Sequence, residues 1–311
     1  MAKRLTVVWP HGFCSGVARA VQAAETLLSR CRGEKVYCLN EIVHNQQVVS
    51  RLTSLGMVFV SRVEQVPEGA LLLFSAHGVS PDVVRQAAAR RLRVIDATCP
   101  FVTKVHAEVR RFAAQGACVV CIGHRRHEEV VGVAGEAPAH VRIVESAEEA
   151  ESLAVPAGVP VAVVTQTTLG EAQVGAVMRV LERRFPGLRL PSSTDVCYAT
   201  RNRQQAVAAL AARCRRVLVL GSANSSNSQR LVETARAAGA EAVLVSERGQ
   251  LDGLAFEEDL ALGLTSGAST PESFLNEVVV GLQSRYGFPE PEVLTAVEED
   301  SHVFRLPALP V

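Results

Sequence analysis

The chain has 311 residues, of which 48% are hydrophobic and 21% are charged, a composition typical of a globular protein. Lysine plus arginine and aspartate plus glutamate both number 32, so the net charge is zero, and the lack of a basic excess argues against a nucleic-acid partner. No apolar run reaches the length of a membrane span, and the first residues lack a signal-peptide pattern. We therefore expect a cytoplasmic protein with no membrane partner.

Short apolar runs rich in β-branched residues alternate with helical patterns along the chain. The apolar runs predict strands over residues 5–8, 69–74, 92–95, 117–122, 159–164, 217–220, 242–245 and 260–264. The helical patterns predict helices over residues 17–31, 81–91, 102–115, 171–185, 204–213, 228–238 and 271–286. This alternation indicates an α/β fold with mainly parallel sheets, in which ligands bind at the carboxyl ends of the strands.

The chain contains eight cysteines, which in a cytoplasmic protein indicate metal or redox chemistry more than disulfides. Cys99 follows a predicted strand that ends at Asp96, and Pro100 favours the first turn of a helix. A thiol at a helix start lies near the positive end of the helix dipole, which favours the thiolate, the form that binds metal. Cys14 and Cys197 stand in comparable surroundings. The other cysteines are interpreted as small residues of the core: Cys31, Cys38, Cys118, Cys121 and Cys214.

Polar loops follow the three cysteines at similar intervals. The first loop lies 30, 28 and 28 residues after its cysteine, at His44, His127 and Ser225. The second loop lies 63, 68 and 72 residues after it, at His77, Thr167 and Ser269. The spacing predicts three similar α/β domains, residues 1–96, 97–193 and 194–286, that present equivalent loops to one shared centre. Residues 287–311 are predicted to form an extended C-terminal strap.

Three converging thiolates would suit either an iron–sulfur cluster with one open iron or a catalytic zinc with one open position. The polar loops are rich in neutral hydrogen-bond donors and backbone N–H groups, which favours a diphosphate ligand. The donors are His44, His77, His127, Ser225, Asn227 and Ser269. Glu129 stands two residues after His127, a spacing that in an extended chain puts both side chains on the same side. A solvated surface carboxylate fits that spacing as well.

Nine short motifs carry a resemblance to one known family. In chain order they are Gly-Phe-Cys14, Glu-Ile-Val-His44-Asn, Ala-His77-Gly-Val, Asp-Ala-Thr-Cys99-Pro, Gly-His-x-x-His127-x-Glu129, Gln-Thr167-Thr, Cys197-Tyr-Ala-Thr, Asn-Ser225-Ser-Asn227-Ser and Gly-Ala-Ser269. Through them the chain resembles the 4-hydroxy-3-methylbut-2-enyl diphosphate reductases (IspH/LytB family) over nearly its full length. Two positions depart from the family pattern, because His11 stands where many relatives carry Arg and Glu128 stands where Pro is common.

The resemblance implies a cloverleaf of three α/β domains around a central [4Fe-4S] cluster, with Cys14, Cys99 and Cys197 on three irons and the fourth iron open to the substrate's hydroxyl. It implies that the substrate's diphosphate is held by His44, His77, His127, Ser225, Ser226, Asn227 and Ser269. Glu129, together with Thr167, would deliver the proton that lets the hydroxyl leave as water.

The same resemblance implies the last step of the non-mevalonate isoprenoid route, which yields isopentenyl diphosphate and dimethylallyl diphosphate. The electron donor would be a ferredoxin or a flavodoxin, and the protein would be a monomer.

Two other functions fit the residues. One is a zinc enzyme that acts on a phosphorylated substrate, and the other is an iron–sulfur sensor that binds a diphosphate metabolite. Metal content would distinguish the zinc enzyme from the reductase, and turnover would distinguish the sensor from the reductase.

Overall fold

The computed structural model describes residues 3–31, 33–258, 260–299 and 302–309, in which strands and helices alternate. The strands are β1 (Arg4–Trp9), β2 (Val36–Leu39), β3 (Met57–Val60), β4 (Leu71–Phe74), β5 (Arg93–Asp96), β6 (Cys118–Ile122), β7 (Val141–Val144), β8 (Val161–Thr165), β9 (Arg216–Leu220), β10 (Glu241–Val245), β11 (Ala261–Ser266) and β12 (Glu292–Thr295). The α-helices are α1 (Ser15–Arg30), α2 (Gln46–Ser54), α3 (Pro81–Ala89), α4 (Pro100–Ala114), α5 (Glu128–Ala134), α6 (Ala147–Ser152), α7 (Glu171–Arg184), α8 (Tyr198–Ala211), α9 (Ser226–Ala237) and α10 (Glu272–Tyr286). All strand pairs in these ranges are parallel, which confirms the predicted α/β class.

The chain divides into two compact units. The first comprises Met1–Val17, His44–Arg51 and Tyr198–Val303, and its sheet has the strand order β10-β9-β11-β1-β12. Successive residues of a strand point to opposite faces, so Val7 packs in a core with residues of α10, whereas Val8 packs in a second core with residues of α8 and α9. Helices therefore cover both faces of this sheet, as parallel sheets require.

The second unit comprises Ala18–Val43, Leu52–Cys197 and Phe304–Val311, and it contains two sheets. One has the order β3-β2-β4-β5 and the other has the order β7-β6-β8. Strand β6 alternates in the same way, with Val119 packed against α4 and α5 and Val120 packed against α7. Its two cysteines, Cys118 and Cys121, are buried in the strand, as predicted.

Several short elements were not predicted. They are the strands β2, β3, β7 and β12 and the helices α2, α5 and α6. The segment after His127 was treated as extended, but Glu129 is the second residue of helix α5, so the argument from an extended spacing was wrong. In the described ranges, no helix combines the length and the apolar character that a membrane crossing demands.

Strand β1 lies in the sheet of the C-terminal residues, where it pairs with β11 and β12, and not beside β2–β5. Part of the segment predicted as a strap is likewise an edge strand of this sheet, β12. Three parallel sheets are present, whereas the predicted domain boundaries at residues 96 and 193 stay predictions.

Candidate active site

The three cysteines singled out in the sequence occupy the same local position, immediately before a helix. Cys14 precedes α1, Cys99 is the N-cap of α4, and Cys197 precedes α8. Each thiol belongs to a half-buried residue, and all eight cysteines of the chain, which lie in the described ranges, are free of disulfides. Because each of these residues is partly exposed, a metal ion can reach its thiol.

The backbone N–H of each cysteine is anchored on the loop that follows a neighbouring strand. The N–H of Cys14 donates to the carbonyl of Ala268 (3.1 Å), that of Cys99 to Ala76 (3.0 Å) and that of Cys197 to Thr167 (3.1 Å). These acceptors belong to the loops after β11, β4 and β8, respectively. An anchored N–H fixes where each thiol stands relative to its loop.

These hydrogen bonds group the cysteines with the polar loops differently from the sequence intervals. The sequence intervals grouped Cys14 with His77, Cys99 with Thr167 and Cys197 with Ser269. The structure instead places each cysteine beside the second polar loop of the preceding group, and Cys14 beside the loop of Ser269. The repeating pattern is thus two polar loops followed by a cysteine. The C-terminal sheet obtains its cysteine from the start of the chain because β1 pairs with β11.

Glu129 is a buried carboxylate (2% exposed) that is held by Thr167. The backbone N–H of Thr167 donates to Oε1 at 2.7 Å, and its hydroxyl donates to Oε2 at 3.0 Å. Both oxygens therefore have a fixed position, which the alternative of a solvated surface carboxylate did not predict. A carboxyl group held in this way can present a proton to a ligand in one defined direction.

Helix α5 approaches the end of β8 closely because residue 123 is a glycine. A Cβ at Gly123 would lie 2.6 Å from Cγ2 of Val130 and 3.0 Å from Cβ of Gln166. The buried Gln166 (1% exposed) in turn accepts the backbone N–H of His124 at 3.0 Å. The absence of a side chain at Gly123 thus lets α5 bring Glu129 to the loop after β8.

The side chain of His127 caps α5, since its Nδ1 accepts the backbone N–H of Glu129 at 3.2 Å. A ring nitrogen that accepts carries no hydrogen, so His127 presents its N–H at Nε2. The ring of His77 lies edge-on to it, with 5.8 Å between ring centroids. The Nδ1 of His77 is 2.8 Å from Oε2 of Glu128, the residue that departs from the family pattern. His77, His127 and Glu129 are thus brought together in the second unit.

In the first unit, helix α9 begins among buried hydroxyl and amide groups. Ser225 is its N-cap, with Oγ accepting the backbone N–H of Ser228 at 3.3 Å, and Ser226 and Asn227 form its first turn. Asn227 is 5% exposed, and neither of its side-chain amide atoms has a hydrogen-bond partner among the described residues. Unsatisfied buried amide atoms at a helix start suit an anionic ligand that accepts hydrogen bonds.

Ser269 and His44 lie together in the same unit. The hydroxyl of Ser269 donates to the backbone carbonyl of His44 at 3.0 Å, and the next helix, α2, begins two residues later. The backbone N–H of Gln46 also bonds Oγ of Ser222 at 3.1 Å, close to the start of α9. These bonds fix the segment of His44 against the loops after β9 and β11.

Two buried residues of structural importance were not singled out in the sequence. Asp195 is 4% exposed and accepts the backbone N–H of Thr165 (3.0 Å) and the ammonium of Lys104 (2.9 Å). Burial raises the pKa of Asp195, and the bond from Lys104 opposes that rise. The second is Arg203, which is 1% exposed. An aspartate stands shortly before two of the cysteines: Asp96 before Cys99, and Asp195 before Cys197. This repeat is a sequence signal that points to Asp195.

The fold and these side chains define a parallel α/β protein with polar loops and half-buried thiols at the carboxyl ends of its strands. A family model described as "LytB protein" matches residues 5–283. The chain is 48% identical to the 4-hydroxy-3-methylbut-2-enyl diphosphate reductase of Rhodococcus jostii (strain RHA1) over 306 residues, which is 98% of this chain and 90% of that one. It is 47% identical to the 4-hydroxy-3-methylbut-2-enyl diphosphate reductase of Acidothermus cellulolyticus (strain ATCC 43068 / DSM 8971 / 11B) over 306 residues, which is 98% of this chain and 89% of that one.

A solved structure, that of the E-1-hydroxy-2-methyl-but-2-enyl-4-diphosphate reductase from Plasmodium falciparum, aligns with a TM-score of 0.93 at 34% identity. The alignment covers 99% of this chain and 96% of that one. The chain belongs to the LytB family, which confirms the resemblance drawn from the nine motifs.

Proposed function

We propose that this chain is an iron–sulfur oxidoreductase that converts 4-hydroxy-3-methylbut-2-enyl diphosphate into isopentenyl diphosphate and dimethylallyl diphosphate, the last step of the non-mevalonate isoprenoid route. The observation that carries the proposal is the equivalent placement of Cys14, Cys99 and Cys197, each half-buried before a helix with its backbone N–H anchored on a polar loop. Membership of the LytB family supports it.

The three thiolates would hold a [4Fe-4S] cluster through three of its irons. The donor set fits this group, because iron–sulfur clusters are held by cysteine thiolates and each of these three cysteines is partly exposed and forms no disulfide. When bound, the cluster would supply electrons one at a time and an open iron that polarises the substrate's hydroxyl. The proposal requires the three thiols to meet at one centre, in the predicted arrangement of three domains.

The diphosphate would be bound by neutral donors. The amide of Asn227, which has no partner among the described residues, supports this role, as do the N–H at Nε2 of His127 and the start of α9. His44, His77, Ser225, Ser226 and Ser269 would complete the set. Fixing the diphosphate holds the allylic carbon chain in one place, which lowers the entropic part of the barrier.

Glu129 would act as the acid. The reaction breaks a C–O bond, consumes two electrons and two protons, and releases water. Glu129 would protonate the departing hydroxyl, because hydroxide is a poor leaving group, and Thr167 would hold the carboxyl in position through its N–H and hydroxyl.

We also propose that the protein is a cytoplasmic monomer and receives its electrons from a ferredoxin or a flavodoxin. The eight thiols without disulfides support a reducing compartment. The proposed reaction is tested by incubating the anaerobically purified protein with 4-hydroxy-3-methylbut-2-enyl diphosphate and a chemical reductant. Formation of both five-carbon diphosphates is expected, and a protein that binds the substrate without consuming it would instead be the diphosphate sensor.

A further inference from the structure

A buried arginine holds the loop that carries Cys14. Arg203, in α8, is 1% exposed, and its Nη2 and Nε donate to the backbone carbonyl of Gly12 at 2.9 and 3.2 Å. That carbonyl lies two residues before Cys14. A guanidinium is always charged, so burying it is unfavourable unless a counter-charge and hydrogen-bond acceptors surround it.

The counter-charge comes from the C-terminal segment, residues 287–311, which we call the tail. Glu299 has a side chain that is 11% exposed, and its Oε2 lies 3.1 Å from Nη1 of Arg203. The side-chain amide of Asn202 donates to the same carboxylate oxygen at 3.2 Å. Consecutive residues of α8 thus bind one tail carboxylate. We call Asn202, Arg203 and Glu299 the tail clasp.

The Cys14 loop is held at further points in the same unit. The N–H of Gly12 donates to Oγ of Ser266 at 2.9 Å, so both backbone polar groups of Gly12 are fixed. The φ of Gly12 is +70°, a conformation that favours glycine. Next to Cys14, the hydroxyl of Ser15 lies 2.8 Å from that of Tyr198, whose ring stacks on the tail residue His302 with 4.6 Å between centroids.

We infer that the tail clasp fixes the Cys14 loop in the conformation in which its thiol is placed to bind the cluster. Arg203 and Glu299 are positioning residues in this inference, because they act on Cys14 through the carbonyl of Gly12. Loss of the Glu299 charge leaves the guanidinium buried with only neutral acceptors among the described residues, so the loop opens more readily. The inference rests on the proposed function in so far as Cys14 is a cluster ligand.

The test compares Glu299→Gln with Glu298→Gln, a matched control at the exposed neighbouring residue. The full-length chain, stripped of metal with a chelator, is treated with N-ethylmaleimide, and the labelling rate of each cysteine is followed by peptide mass spectrometry. Glu299→Gln is expected to raise the rate at Cys14 roughly tenfold, because a buried charged hydrogen bond that resists local opening is weakened. The rate at Cys99, which lies in the second unit, is expected to stay unchanged.

Three further measurements sharpen the result. Glu299→Asp keeps the charge and should restore part of the protection. Arg203→Lys keeps the charge but lacks the planar guanidinium whose separate nitrogens bond Gly12 and Glu299, so it should expose Cys14. In the metal-loaded protein, Glu299→Gln should hasten the loss of visible absorption on adding a chelator. The buried Cys214, in the same unit as the clasp, and the buried Cys38 and Cys121, in the second unit, report on the unfolding of each unit.

An unchanged labelling rate at Cys14 in Glu299→Gln would overturn the inference. So would an equal increase at Cys14 and Cys214, because the effect would then be unfolding of the first unit and not opening of the Cys14 loop. A wild-type protein that is colourless when prepared anaerobically would reject the cluster, but site-selective labelling of Cys14 would still establish the clasp. Failure of the proposed function and failure of the clasp are therefore separate results.

Discussion

Replacing Glu129 by glutamine removes the proposed acid with little change in shape. The amide oxygen can accept the N–H of Thr167 as Oε1 does at 2.7 Å, and the amide nitrogen can donate to the hydroxyl of Thr167, which then reverses its role. Both hydrogen bonds survive, so the free energy of unfolding is expected to change by less than about 1 kcal/mol.

The effect on turnover is expected to be large. A positioned general acid contributes roughly a factor of 100 to 10,000 to a rate. At about 1.36 kcal/mol for each tenfold change, this corresponds to roughly 2.7–5.4 kcal/mol in the barrier. Substrate affinity should change little, because Glu129 acts on the leaving hydroxyl and the diphosphate is bound by other side chains.

The assay measures single-turnover product formation under anaerobic conditions, together with substrate affinity by calorimetry. The matched control is Glu148→Gln, since Glu148 is also the second residue of a capped helix but is exposed. Turnover of Glu129→Gln within about tenfold of wild type would remove Glu129 from the role of acid, since general acid catalysis contributes more than that. A loss of turnover with an equal loss in the control would point to a defect unrelated to Glu129.

Two further predictions concern the supports of the site. Gly123→Ala should destabilise the protein by about 1–3 kcal/mol, because its Cβ would overlap Val130, and thermal denaturation beside Gly249→Ala, where a Cβ meets nothing within 4 Å, checks this. Lys104→Met should lower stability more at about pH 7 than at about pH 3, which is below the usual pKa of an aspartate. Burial raises the pKa of Asp195 and Lys104 opposes the rise, so loss of Lys104 penalises the ionised carboxylate and has no such effect where Asp195 is protonated in both states. Urea midpoints at the two pH values measure the difference, and an equal loss at both would contradict this account.

The elements that the sequence predicted are those with strong local signals. Strand β9 contains an apolar run of four residues, 217–220, and Pro100 correctly marks the start of α4. The strands β2, β3 and β7 have four residues, as do β4 and β5, which were predicted, so a four-residue apolar run is not a reliable signal in either direction. Helix α5 begins with a histidine cap, which is not a usual N-terminal signal. These elements could therefore be located only in the structure.

Pairing between distant segments could not be predicted from local pattern. Strand β1 pairs with β11 across more than 250 residues, so neither the sheet that receives it nor the loop beside Cys14 was foreseeable. The burial of Glu129 likewise depends on Thr167, 38 residues further on. The motifs identified the side chains near the site, whereas the tail clasp of Glu299 depends on tertiary contacts without a sequence signature.

The most direct test of the account is the iron and acid-labile sulfide content of the anaerobically purified protein, measured with its visible spectrum. We expect about four of each per chain in the wild type and in Cys31→Ser, a control at another half-buried thiol. We expect loss of the absorption in Cys14→Ser, Cys99→Ser and Cys197→Ser alike. A colourless wild-type protein with one zinc, or full cluster content in any of these three variants, would contradict a cluster held by the three thiols.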